Sequence, residues 1–176
     1  MRFVDFLRTT VLVSAAVATA LAVVCILSAT DESGATLAAV SVGWWLVAVF
    51  LGLRVGRGAS VNASIGRLLA GARSTTSLPE IRPSAILLNR LWPLLVFALA
   101  SAGLGLLAPQ IPGIAAGFAV IWSLSWRNQD AAVAAIEERD GVTFYIQHTS
   151  PFKAMSLLRA PGFRTSRGEQ LPGAVG

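Results

Sequence analysis

The chain has 176 residues, 55% of them hydrophobic and only 13% charged, with a formal net charge of +5. Soluble domains average about 45–50% apolar and about 25% charged residues, so this composition excludes an ordinary water-dissolved globule and makes lipid the natural solvent. One cysteine and one histidine exclude an internal disulfide and any metal site built on several such ligands.

Residues 1–9 form a short N-terminal segment carrying Arg2 and Arg8. An uncharged run follows at 10–29, long enough at about 1.5 Å per residue to cross a hydrocarbon core of about 30 Å. The basic start resembles a signal peptide, but the apolar stretch exceeds the usual length and further spans follow, so a retained first helix is expected. Cys25, inside this run, reads as a small apolar packing residue.

A second span is expected at 36–53. Thr30 to Ala35 holds an acidic pair and a glycine, which predicts a tight turn and an antiparallel helix hairpin. Trp44 and Trp45 fall near the middle of this span and must face lipid, a neighbouring helix or a ligand. The loop at 54–84 is rich in Gly, Ser and Ala. Within it Val61, Ile65, Leu68, Leu69 and Ala72 follow helical spacing, predicting an amphipathic helix on the inner membrane face.

The third span is expected at 85–107, with Asn89, Arg90 and Pro93 near its start. The fourth is expected at 111–126, set off by Pro109, Pro112 and Gly113. Gly113 and Gly117 form a G-x-x-x-G. With the small-residue patch around Gly103 and Gly105 they predict close packing of the third helix on the fourth. Arg90 lies near one end of its span, where its side chain can reach the headgroups. Trp92, Trp122 and Trp126 lie toward the same interface, as an aromatic belt does.

Segment 127–164 is expected to continue as a helix to Gly141 and then to form a strand-like stretch at Val142 to Ile146. A strand needs a mate, and none is obvious in the chain. Val142, Phe144, Tyr145, Ile146 and Phe152 are therefore candidate contacts for a partner protein. Ser150-Pro151 predicts a further helix start, with Phe152, Met155 and Leu158 on one face. Residues 165–176 are polar or small and are expected to be disordered.

Lysine and arginine sort by connection. The N-terminal segment has two, the first turn none, the middle loop five, the third turn none and the tail six. This alternation predicts both termini and the middle loop in the cytoplasm. Thirteen of the 14 basic residues are arginine, and with so much Ala, Val and Gly the chain reads as bacterial, in the cytoplasmic membrane. The same loops offer Arg54, Arg57, Arg67, Arg90 and Arg127 as candidate contacts for anionic lipid, worth about 1 kcal/mol each near such a surface.

Chemistry is sparse. No catalytic residue, metal site or cofactor is expected: nucleotide and nucleophile motifs are lacking, and His148 has no second ligand nearby. No basic patch is interleaved with aromatics, so nucleic acid is not an expected partner. The predicted spans hold no Asp, Glu or His, which argues against a proton-coupled carrier. The sequence therefore predicts an all-α integral membrane protein with four transmembrane helices in two antiparallel hairpins and a short cytoplasmic extension. Its expected role is that of an accessory or scaffold subunit whose tail engages another membrane or cytoplasmic protein. The alternative is a channel or transporter for an uncharged or lipidic solute, with Trp44 and Trp45 lining its cavity.

Overall fold

A computed structural model describes residues 1–28, 32–58, 61–74, 83–147 and 155–161. The chain is mostly helical. Its elements are α1 (Phe3–Ser28), α2 (Glu32–Val55), α3 (Ala63–Ala70), β1 (Arg73–Ser74), α4 (Pro83–Leu104), α5 (Gln110–Trp126), α6 (Gln129–Asp140), β2 (Val142–Ile146) and β3 (Leu157–Pro161). The expected helix start at Ser150-Pro151, the Phe152 contact, His148, the first residues of the turn expected at Thr30 to Ala35 and the tail at 165–176 lie outside the described residues.

Three helices, α1, α2 and α4, are long and apolar enough to cross a membrane. A helix that is apolar all round must be buried in protein or surrounded by lipid. Only 28%, 17% and 11% of the most apolar stretches of α1, α2 and α4 are buried within the chain, so protein does not cover them. α5 has 17 residues, about 26 Å at helical rise, and is covered far better: Pro112, Gly113, Ala115, Ala116, Gly117, Ala119 and Ser123 are all buried.

α5 is the central helix. It packs along both α1 and α2, while α1 and α2 touch each other little. Their meeting point is Cys25 and Ser41, where sulfur and hydroxyl stand 3.7 Å apart. The chain turns tightly from α4 into α5, with Gly105 directly against the Pro112 ring.

The helix ends differ from expectation for identifiable reasons. α1 begins at Phe3, because Phe3, Phe6 and Leu7 are buried in a core at the amino-terminal end of this helix. That core also holds Ile65 of α3, Ile86 of α4, Val133 of α6, Phe144 and Ile146 of β2 and Leu157 of β3. α3 turns its apolar side, Ile65 with Leu68 and Leu69, to the chain's own core. α4 carries Pro93 in its interior. α6 does not continue α5: the chain breaks at Arg127 and Asn128, then α6 runs to Gly141, which closes it with a left-handed backbone (φ 63°) and an N–H donated to the Glu137 carbonyl.

The chain is not all-α. β2 pairs antiparallel with β3 from Val142↔Pro161 to Ile146↔Leu157, and β1 adds to β3 in parallel, giving the order β1-β3-β2. The helical face expected for Met155 and Leu158 loses to this pairing. Leu158 sits opposite Tyr145 in the ladder, where both strands satisfy their backbone groups together. The free side of β2 is met by the N-terminus: Arg2 bridges Tyr145, and the Ile146 N–H donates to the Met1 carbonyl at 3.2 Å.

Candidate functional site

α2 and α5 approach closely along one seam, and glycine makes the approach possible. The two helices run in the same direction, with Ser41 and Trp44 beside Gly113 and Gly117, and Gly52 and Gly56 beside Leu124. A Cβ on Gly113 would meet the Ser41 hydroxyl at 2.8 Å and the Cys25 sulfur at 2.9 Å. One on Gly117 would enter the Trp44 indole. At the other end, a Cβ on Gly52 would meet the Leu124 Cβ at 2.8 Å, and one on Gly56 would collide with the Leu124 carbonyl oxygen. Each helix therefore contributes one G-x-x-x-G and receives the side chains of the other. Small residues allow this approach. The contact of Gly113 and Gly117 goes to α2 and α1, not to α4; of the α4 patch, Gly105 lies by Pro112 and Gly103 has open space around it.

Trp44 and Trp45 face α5. The Trp44 indole N–H donates to the Ile114 carbonyl at 3.1 Å, and the Trp45 N–H donates to the Gly113 carbonyl at 2.8 Å. The Trp44 ring meets Phe118 edge-on, 5.5 Å between centroids. Two successive side chains of α2 thus hold two successive carbonyls of α5, leaving neither indole donor unsatisfied. At the basic end, the Asn128 side-chain amide donates to the Gly56 carbonyl at 2.8 Å, and the buried Gln129 accepts the Asn62 N–H at 2.9 Å.

Two apolar crevices flank α5. The first, about 470 Å³, opens between α1 and α2, with Ala18 and Ala22, Trp45 and Val49, and Ala116 and Val120 among its walls. The second, about 390 Å³, lies between α1, α4 and α5 and includes Arg90. The hydroxyls in these walls bond to backbone: Thr10 donates to the Phe6 carbonyl and Ser14 to the Thr10 carbonyl of their own helix, and Ser123 of α5 donates to the Val11 carbonyl of α1. Among the described residues no buried side-chain nitrogen or oxygen lacks a partner, and no group of acidic, His or Cys side chains could hold a metal ion.

The layer formed by α3, α6 and the sheet is closed by Glu137. Its buried carboxylate accepts from the Arg2 guanidinium at 2.9 Å through one oxygen and from the Phe144 backbone N–H at 2.8 Å through the other. The hydrogen bond to Glu137 holds the Arg2 guanidinium above its ordinary range, against a smaller effect of burial. On the surface, Arg139 binds Asp140 at 2.8 Å and holds that carboxyl below its ordinary value.

The remaining sequence candidates are spread over this layer. Phe144 and Ile146 are 2% and 1% exposed in the chain's own core, while Val142 and Tyr145 are half-buried. Arg54, Arg57, Arg67 and Arg127 are exposed and Arg90 is half-buried. The roles of Asn128, Gln129 and Glu137 are not legible in the sequence: Glu137, in an acidic cluster with Glu138 and Asp140, reads as a solvated helix end but is buried, and a polar residue carries no signature of the carbonyl or N–H it will bind. Gly52 and Gly56 did have one, the same four-residue spacing as Gly113 and Gly117. The chain matches no protein-family model, no curated protein and no solved structure.

Proposed function

We propose that the protein is a four-span, non-enzymatic subunit of a bacterial cytoplasmic membrane, with both termini in the cytoplasm, that serves as an accessory or scaffold through its cytoplasmic layer. One observation carries this reading: the three basic stretches of the sequence converge. The N-terminus bonds to α6 and β2 through Glu137 and Ile146, the loop after α2 bonds to Gln129, and β1 joins the sheet. The turn from α4 into α5, which carries no basic residue, lies at the opposite end, with Gly105 beside Pro112. An orientation signal that alternates along the chain and gathers at one pole is what cytoplasmic placement requires. With α1, α2 and α4 spanning, α5 must return the chain to that pole.

The partner surface differs from a bare strand awaiting a mate. β2 is paired on both sides, so an incoming protein would meet the outer sheet face around Tyr145 and Leu158, and the short exposed edge of β1. The test is purification of the full chain from native membranes in mild detergent after chemical cross-linking. A companion protein in fixed ratio, released by Leu158→Glu while the four helices stay protected, is the expected result. A lone homogeneous protein in both samples would overturn the reading.

A second reading, a carrier of an uncharged or lipidic solute, draws on the first crevice, whose wall includes Trp45. Solute flux into proteoliposomes that survives replacement of both Trp44 and Trp45 by leucine would count against it.

A further inference from the structure

The crevice between α1, α4 and α5 differs from its neighbour in one respect: a cation stands in an otherwise apolar wall. Phe6 and Leu7 of α1, Leu91 and Leu94 of α4 and Trp122 of α5 supply the apolar surface, and Arg90 is the one ionisable side chain among the described lining residues. The volume of about 390 Å³ lies in the range of small-molecule sites, about 300–1,000 Å³. The α1 wall descends from Phe6 to Ser14, about 12 Å along the helix. The hydroxyls of Thr10 and Ser14 donate to their own helix, so the interior offers a guest apolar contact only.

We propose that this crevice binds an anionic phospholipid of the leaflet at the basic end, with an acyl chain between the helices and the phosphate beside Arg90. The proposal rests on the membrane reading given above. Three features select this occupant. Met155, packed on the core of the layer, bounds the crevice, so a partner helix could not run straight through it, whereas a single chain entering from the side could fill it. Trp122 and Trp126 stack at 5.5 Å in the same wall, the aromatic arrangement typical of the headgroup level. A guanidinium matches phosphate oxygens in shape and charge, and Arg8 and Arg127, next in sequence to the lining residues Leu7 and Trp126, are exposed. The first crevice has no charged side chain among its described lining residues and so offers nothing there to distinguish lipid headgroups.

The full chain would be equilibrated with equal amounts of phosphatidylglycerol and phosphatidylcholine in mild detergent, and retained lipid counted by native mass spectrometry. One phosphatidylglycerol per chain, favoured about fivefold as one basic side chain near an anionic headgroup provides, is expected. Arg90→Gln should abolish the preference, Arg90→Lys should keep most of it, and Arg57→Gln should leave it intact. Because variants can misfold, tryptophan quenching of the unaltered protein by brominated-chain lipids gives a second readout: phosphatidylglycerol should quench at lower mole fraction than phosphatidylcholine. Equal retention and equal quenching by the two lipids, or a preference unchanged in Arg90→Gln, would overturn the site. Recovery of the protein in buffer without detergent would instead overturn the membrane reading beneath it.

Discussion

Gly117 has a hydrogen where any other residue would place carbon, and the Trp44 indole occupies that space. Gly117→Ala should displace the ring, break its bond to the Ile114 carbonyl and cost about 1–3 kcal/mol, as overpacking does. Gly43→Ala, with nothing within 4 Å of the new carbon, should cost nothing; thermal unfolding in detergent separates the two. The buried carboxylate of Glu137 is a second pivotal group. Glu137→Ala would strip the Phe144 N–H of its acceptor, a loss of about 1–3 kcal/mol. Arg2→Ala should cost about 0–1 kcal/mol, since its side chain is 51% exposed and the pair is partly screened. Protease sensitivity of the layer should follow that order. Asp140→Asn should leave it unchanged, because its partner Arg139 and the carboxyl itself are in water.

At the level of elements, composition is a good guide to the long apolar helices and a poor one to the rest. α1, α2 and α4 are legible because their apolar runs are long enough to cross a membrane, and α5 because Pro109 and Pro112 set off the start of its apolar run. Their neighbours are not legible in the same way, since every apolar helix looks alike from the sequence. The G-x-x-x-G at Gly113 tells that something approaches closely but not that α2 does so in place of α4. β3 is hidden because Leu157-Leu158-Arg159-Ala160 has no strand alternation of its own; only the ladder with β2 makes it a strand. The placement of α5 between α1 and α2 can be tested by cross-linking. Ser41→Cys, beside native Cys25, should oxidise to join α1 and α2 within one chain. Leu12→Cys with Phe50→Cys, on exposed faces of the same helices, should not.

For the whole molecule, the consequential arrangement is one polar pole and one bare pole. Cysteines introduced for Arg57 and Arg139, both exposed, should be labelled from the cytosolic side of sealed vesicles by an impermeant reagent. Gln110→Cys at the opposite pole, also exposed, should be labelled only from outside. Labelling of all three from one side would remove α5 as a span and with it the shared pole.

The stitch between Met1 and Ile146, reinforced by Arg2 and Glu137, also dictates timing during synthesis. α1 is made before α2, α4 and α5, yet its strand neighbour β2 is made only after them. Until then Phe3, Phe6 and Leu7 have no completed core to enter. Nascent chains halted before residue 142 should therefore leave an open, sticky amino end for quality-control proteases to find, and the finished chain should escape them as soon as its two distant ends meet.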